Sequence, residues 1–195
     1  MKKKIIITGG LGYIGTELCK LYSGVSWHHN ITVIDNRFIS ERVNQIRNWN
    51  MEFIEGDILD KELIKKYCYN ADVVHHLAGV TQVPRTKSES SDSQDKKIME
   101  VAEKGTQNIL DVINNKCKII FPSTHVVYEG INEVKKDIKE NEDTKPVLSY
   151  SSSKAINEDQ LKKSGKNYII LRLGSVYGFS TDSMRIDIMP NLFSR

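Results

Sequence analysis

Residues 5–18 read IIITGGLGYIGTEL: an apolar run stops at a threonine, glycines come at 9, 10, 12 and 15, and an apolar-periodic segment takes over. No other stretch constrains the fold as much. A strand hands over to a helix through a turn from which side chains have been removed. Glycine tolerates the backbone angles of a tight turn and lets other atoms come close. Two phasings fit, Gly10-x-Gly12-x-x-Gly15 and Thr8-Gly9-x-x-Gly12-x-x-Gly15. Both imply the same physics: main-chain N–H groups that can approach a pyrophosphate, and a helix N-terminus whose dipole favours an anion.

The residues beyond the turn supply its context. ITVID (31–35) reads as a second strand and ends at Asp35, twenty positions past Gly15. A carboxylate there accepts hydrogen bonds from an adenosine ribose and repels a 2′-phosphate, so NAD is expected over NADP. Arg37, two residues on, softens that preference. No GK[ST] succeeds the glycines, which argues against a P-loop. Asp57, in GDILD, either reaches an adenine or caps the helix starting near residue 60. HHLAG (75–79) places small residues where a fourth strand ends and a ligand can approach.

Further apolar runs alternate with periodic segments. KIIIT, ITVID, MEFIEGD (51–57), ADVVHHLAG (71–79), CKIIFPST (117–124) and NYIILRLGSVYG read as strands. GYIGTELCKLYS, with Ile14, Leu18 and Leu21 on one face, KELIKKYC, with Leu63, Ile64 and Tyr67 inward, residues 93–114 and YSSSKAINEDQLKKS read as helices. The strands are continuous apolar runs, as expected of strands buried on both faces. The pattern predicts an α/β fold with a doubly wound parallel sheet, the Rossmann arrangement. The polar stretch 86–97 is expected as a loop or frayed helix entry and 129–149 as a charged loop, both of them solvated surface or, alternatively, the rim of a cleft at the carboxyl ends of the strands.

At 195 residues, 39% hydrophobic and 27% charged, the chain can bury one core. A net charge of +3, with 28 basic residues interleaved among 25 acidic ones, gives no footprint for nucleic acid. MKKK is succeeded by only three isoleucines, too short for a signal peptide, and no segment reaches transmembrane length, so a cytoplasmic chain without a membrane partner is expected. Cys19, Cys68 and Cys117 have no CxxC spacing and are expected as buried free thiols; no metal site is expected. The pairs His28-His29 and His75-His76 cannot converge on one ion from adjacent positions and are expected to be structural. Trp27 and Trp49 are expected at the core edge. Arg172 is expected in an ion pair or as a loop anchor.

Chemistry enters at Tyr150-x-x-x-Lys154, whose i, i+4 spacing puts a phenol and an ammonium on one helix face. The positive charge stabilises a phenolate, which makes a tyrosine a general base near neutral pH. Ser123 and Thr124, at the end of the fifth strand, carry hydroxyls that can bond the same substrate oxygen.

TGGLGYIG, Asp35, GDILD, HLAG, PSTHVVY, YSSSK and RLGSVYG occur in the order and spacing of the NAD-dependent epimerase/dehydratase family of extended short-chain dehydrogenases/reductases, which the chain resembles. The resemblance implies Thr124, Tyr150 and Lys154 as the catalytic set. It implies a dinucleotide site from Gly9, Gly12, Tyr13, Ile14, Gly15, Asp35, Asn36, Asp57, Ile58, Leu77, Ala78, Gly79, Tyr150 and Lys154, and substrate contacts from Thr81, Ser123, Thr124 and Ser175. The implied cofactor is NAD and the implied substrate a nucleotide sugar. The implied reaction is oxidation of a ring hydroxyl and then return of the hydride to the opposite face. The alternatives are an NAD-binding module without turnover, or a sugar-nucleotide dehydrogenase or reductase.

The chain departs from the family pattern in places. Where dehydratases carry an acidic pair after the threonine it has His125 and Val126, which argues against 4,6-dehydration. Ser175 stands where an asparagine is usual, and Ala102 where the long helix usually carries another. Residues 1–174 are expected to form the NAD-binding domain and 175–195 the start of a substrate lobe most of which is missing, so that this polypeptide turns over little. Apolar residues near Val176, Ile186, Ile188 and Leu192 are then expected to favour a homodimer or other self-association.

Overall fold

The computed structural model describes residues 2–80 and 89–180. Six parallel strands, β1 (Lys4–Thr8), β2 (Asn30–Asp35), β3 (Glu52–Glu55), β4 (Val73–His76), β5 (Lys118–Thr124) and β6 (Asn167–Leu173), form one sheet in the order β3-β2-β1-β4-β5-β6. The helices are α1 (Tyr13–Ser23), α2 (Ser40–Asn48), α3 (Lys61–Cys68), α4 (Asp92–Val112) and α5 (Ser149–Lys163). The direction of winding reverses between β1 and β4, which are hydrogen-bonded from Ile5↔Val73 to Thr8↔His76. A crevice opens at such a reversal, beyond the carboxyl ends of the strands. This is the doubly wound Rossmann arrangement.

Side-chain alternation along the strands divides the interior into two cores. Ile6, Ile34, Val74, Ile119 and Phe121 pack with Ile64 of α3, Ile109 of α4 and Leu161 of α5. Ile5, Ile7, Ile31 and Val33 pack with Cys19 of α1 and with Val43 and Ile46 of α2. The central strands are buried on both faces. The edge strand β6 differs, with Tyr168, Ile169 and Leu171 exposed.

Several boundaries differ from the expected ones. β3 and β4 are shorter, although Gly56 N–H still bonds Asp35 O and Leu77 N–H bonds Thr8 O just beyond them, and β6 ends at Leu173. α2 is an element the sequence pattern did not reveal. The buried residues of α1 are Gly15, Thr16 and Cys19; of the expected face, Leu18 packs against the second core, whereas Ile14 and Leu21 are exposed. Small residues let α1 sit close to β1, so Ile14 and Leu21 turn outward. Residues 92–97, expected as loop or frayed helix entry, form the first turns of α4, with the Ser91 side chain accepting from Gln94 N–H. Residues 129–148 carry neither helix nor strand, as expected. The three cysteines are buried and unpaired. Trp27 is exposed, while Trp49 packs on the second core. No helix among the described residues is long and apolar enough to cross a membrane, and no group of three or more His, Cys, Asp or Glu among them is arranged to hold a metal ion.

Candidate active site

The turn after β1 shows why its glycines are there. Gly9 has φ +70°, and a Cβ there would lie 2.6 Å from Ala78 N. A Cβ on Gly15 would lie 2.4 Å from the carbonyl oxygen of Gly9, so the helix could not keep its distance from the turn. Gly12 is different: its Cβ would meet only the Gly9 oxygen, at 3.2 Å, and it is the N-cap of α1. Packing constrains position 12 far less than 9 or 15, which leaves room for a ligand at the helix N-terminus. That terminus has no side-chain cap and no acidic residue in its first turn. Its orphan N–H groups and dipole suit an anion, so a pyrophosphate fits the turn.

Every other strand delivers its own residues to the same edge of the sheet. β2 ends at Asp35, which is buried and accepts from Leu11 N–H at 2.9 Å and from Arg37 N–H at 3.1 Å. Asp57, beyond β3, accepts from Leu59 N–H at 2.9 Å and from the Asn36 amide at 3.0 Å. It does not cap α3: that cap is Asp60, which accepts from Glu62 and Leu63 N–H. The Ile58 side chain is buried in the core against Gly105, which leaves only its main chain to a ligand. Beyond β4, Leu77 N–H bonds Thr8 O and Ala78 N–H bonds the Thr8 hydroxyl, while Gly79 faces open space.

Beneath this edge a polar chain runs through the core. His76 Nδ1 lies 3.0 Å from Thr8 Oγ1 and its Nε2 3.0 Å from Thr106 Oγ1, which accepts from Asn157 at 2.9 Å. Burial, with the charge of Lys154 adding to it, lowers the His76 pKa to about 3; burial alone lowers His75 to about 4. Both are structural, as expected. His75 bonds the Tyr22 hydroxyl at 2.8 Å.

Tyr150 lies in the first turn of α5, half-buried, with Lys154 one turn on. Lys154 Nζ donates to Pro122 O on β5 at 2.9 Å and sits 4.5 Å from the Phe121 ring centroid and 5.9 Å from that of Tyr150. Burial lowers its pKa to about 8. Thr124, at the end of β5, is buried and accepts from Val126 N–H at 3.3 Å. The structure thus brings β5, the phenol and the ammonium together.

It does not bring Ser123 with them. That hydroxyl donates to Glu158, 2.6 Å away and one turn beyond Lys154 on α5. Glu158 also receives Arg172 in two bonds, Nε at 2.9 Å and Nη2 at 2.6 Å, so Arg172 is the ion-pair anchor expected of it. Sequence reading missed Glu158, whose only signal was a carboxylate on the buried side of α5. It also missed Glu129, which accepts from Val147 N–H at 2.8 Å, Leu148 N–H at 2.7 Å and the Ser151 hydroxyl, and so fixes the turn in which Tyr150 sits. Burial acts to raise the Glu129 pKa, but these bonds outweigh it and hold the carboxylate below its ordinary value.

The segment after β6 passes over α1. Tyr13 Oη donates to Gly178 O at 2.6 Å and Ser180 to Glu17 at 2.6 Å. Ile14, Leu18 and Leu21 line a cavity of about 280 Å³ with Val176, Tyr177 and Phe179. Ser175 is exposed. His125 is exposed as well, its ring 3.2 Å from Leu173 O. Thr81, Ile186, Ile188 and Leu192 lie outside the described residues.

A Rossmann sheet with a glycine-lined anion site at its switch point and an acidic residue ending β2 defines a dinucleotide-binding class of protein. The chain belongs to the NAD dependent epimerase/dehydratase family, whose model matches residues 5–193. It is 35% identical over 130 residues to UDP-N-acetyl-alpha-D-glucosaminuronate decarboxylase of Bacillus cytotoxicus, covering 66% of this chain and 38% of that protein. It is 30% identical over 187 residues to a putative UDP-glucose 4-epimerase of Methanocaldococcus jannaschii, covering 91% and 57%. The structure of UDP-glucose 4-epimerase from Brucella ovis in complex with NAD matches with a TM-score of 0.72 at 28% identity, over 92% of this chain and 54% of that one. The chain spans about half the length of the curated relatives it matches.

Proposed function

We propose that this chain binds NAD across the carboxyl ends of β1, β2 and β4 and belongs to an enzyme that epimerises a ring hydroxyl of a nucleotide sugar. The observation that carries the reading is the Lys154–Tyr150 arrangement, an ammonium pinned to β5 and set beside a phenol at the mouth of the crevice. Gly9, Gly12 and Gly15 would admit the pyrophosphate, Asp35 would take the adenosine ribose, and the main chain at 77–79 would line the approach to the nicotinamide. Bound NAD supplies a hydride acceptor that can also return it.

Tyr150 takes the hydroxyl proton on its phenolate oxygen. Lys154 holds that phenolate charged and remains protonated itself. Thr124, at the end of β5, orients the reacting oxygen through its hydroxyl. The position after Thr124 holds His125, which bonds Leu173 O, and Val126; neither is a carboxylate, which supports epimerisation over elimination of water. Three buried thiols without a disulfide support a reducing compartment, the cytoplasm. Exposed Val176, Tyr177 and Phe179 support self-association, which sedimentation at rising concentration tests.

The test of function is NAD titration into this chain and then incubation of an NAD-loaded version that carries a full substrate lobe with UDP-glucose and other nucleotide sugars. Tyr150→Phe should keep NAD affinity while losing about 10²–10⁴-fold in inversion rate. An unchanged rate in that variant removes Tyr150 as the base.

A further inference from the structure

Helix α5 carries Tyr150 and Lys154, yet its own start has no side-chain acceptor at the cap. Leu148 is the N-cap, a residue without a polar side chain, and the first turn holds no acidic residue. A helix start leaves main-chain N–H groups in need of acceptors, which the cap residue usually supplies. Here the acceptor comes from across a loop. Glu129 Oε1 accepts from Val147 N–H at 2.8 Å, from Leu148 N–H at 2.7 Å and from the Ser151 hydroxyl. Ser151, third residue of the helix, itself accepts from Leu148 N–H at 3.2 Å, so the carboxylate backs up a local bond.

The place Glu129 comes from gives these bonds their significance. It directly follows the 3-10 turn His125–Tyr128, whose N-cap is Thr124. The Thr124 side chain accepts from Val126 N–H, and Glu129 N–H donates to Val126 O at 3.1 Å. Two more main-chain bonds close the same neck, Lys145 N–H to Val127 O and Gly130 N–H to Lys145 O, both at 2.8 Å. Between Gly130 and Lys145 the chain runs out as a mostly exposed loop. That loop is tied off at its base, and the tie joins the end of β5 to the start of α5. Lys154 makes a second tie, to Pro122 O on β5, but with a group the reaction itself needs. Glu129 makes its tie without one.

We propose that Glu129 is a positioning residue for Thr124 and Tyr150: it clasps the first turn of α5 to the end of β5 and so sets where the phenol stands relative to the threonine hydroxyl. The inference rests on the reading of Tyr150 as the base. Both groups must meet one substrate oxygen, and a misplacement of about 1 Å can lower a rate by roughly 10²-fold. Glu129 acts through the main chain of 147 and 148 and through the Ser151 hydroxyl. Its removal should therefore slow the chemical step while leaving the glycine turn and Asp35, on β1 and β2, as they are.

Glu129→Ala, Glu129→Gln and the double variant Glu129→Ala/Leu148→Ser test this, each with a melting curve. Leu148→Ser gives α5 a cap of its own but no tie to β5. In the 195-residue chain, Glu129→Ala should speed amide hydrogen exchange at Val147 and Leu148 at least about ten-fold, as loss of a charge-assisted bond implies. Exchange at Val126, on the Thr124 side of the clasp, should rise with it, and NAD affinity should stay within about two-fold. In a version with a full substrate lobe, kcat should fall about ten- to a hundred-fold with KM little changed. Glu129→Gln, which keeps a neutral acceptor, should fall between. The double variant should regain melting temperature but neither slow exchange at Val126 nor kcat. If exchange rises at 147 and 148 alone, or if kcat returns together with the melting temperature, Glu129 is only a helix cap and the inference fails. A wild-type kcat in Glu129→Ala, with Tyr150→Phe still slow, overturns it while Tyr150 stands as the base. A Tyr150→Phe enzyme at full rate removes the reading beneath it.

Discussion

Lys154 donates to the main-chain oxygen of Pro122, two residues before Thr124, and so ties α5 to the end of β5. Burial lowers its pKa to about 8, whereas an unfolded lysine titrates near ~10.4. Between these values the unfolded chain binds the extra proton, so Lys154 makes the fold more stable as pH rises through that window. Urea unfolding of the wild type and Lys154→Met at pH 7 and pH 10 checks this. The stability difference should move in favour of the wild type at the higher pH; a pH-independent difference would mean that Lys154 titrates normally.

The Arg172–Glu158 pair should be the costliest polar contact to break from one side. Both groups are well buried, Glu158 with a side chain 2% exposed and Arg172 14%. Burial acts to raise the Glu158 pKa, but the bonds from Arg172 and Ser123 and the charges of Arg172 and Lys162 outweigh it and hold the group below its ordinary value. Its contribution is therefore present at neutral pH and lost as pH falls through that lowered value. Arg172→Met should cost about 3–5 kcal/mol at pH 7, the penalty for leaving a buried charge unpaired. The double variant Arg172→Met/Glu158→Leu should recover much of that loss, which denaturant titration of the three proteins measures.

Gly12 and Gly15 should separate binding from folding. A side chain at 15 runs into the main chain of Gly9 and Gly10, so Gly15→Val should lower the melting temperature sharply. A side chain at 12 meets one oxygen at 3.2 Å and otherwise points where a pyrophosphate would approach. Gly12→Val, which presses on that one oxygen, should lose much less melting temperature than Gly15→Val yet lose dinucleotide binding in calorimetry. A folded Gly12→Val protein with wild-type affinity would refute the phosphate-cradle reading.

The range of each interaction decides whether the sequence discloses it. The glycine turn, Asp35 and the Tyr150–Lys154 spacing are local, so their chemistry is legible from the residues themselves. The face of α1 was not: Ile14 and Leu21 look like a buried stripe, but close packing onto β1 selects Gly15, Thr16 and Cys19. α2 buries only Val43 and Ile46 within a run of polar residues, too few for a periodic signal. Ser123 and Thr124 read as equivalent hydroxyls until the structure shows one of them bonded to Glu158. Glu158 and Glu129 find their partners across loops and strands, which no short window reveals.

Acid should unfold this protein partly through its adjacent histidines. His76 is fully buried between Thr8 and Thr106, and its pKa falls to about 3; that of His75, beside Tyr22, falls to about 4. An unfolded histidine titrates near ~6.5. Below that value the unfolded chain takes up protons that the folded chain refuses, so stability falls as pH drops from about 6.5 toward 4. For His76 alone the loss between pH 7.5 and pH 4.5 should be about 2–3 kcal/mol, from ~1.4 kcal/mol per pH step below the unfolded value. His76→Gln keeps a donor and an acceptor but cannot titrate. It should be less stable than the wild type at pH 7.5, where the Thr8–Thr106 bridge is imperfectly replaced, and should lose less on acidification. Urea titrations of both proteins at the two pH values give the comparison. If the two lose stability in parallel, His76 is not a source of the acid sensitivity.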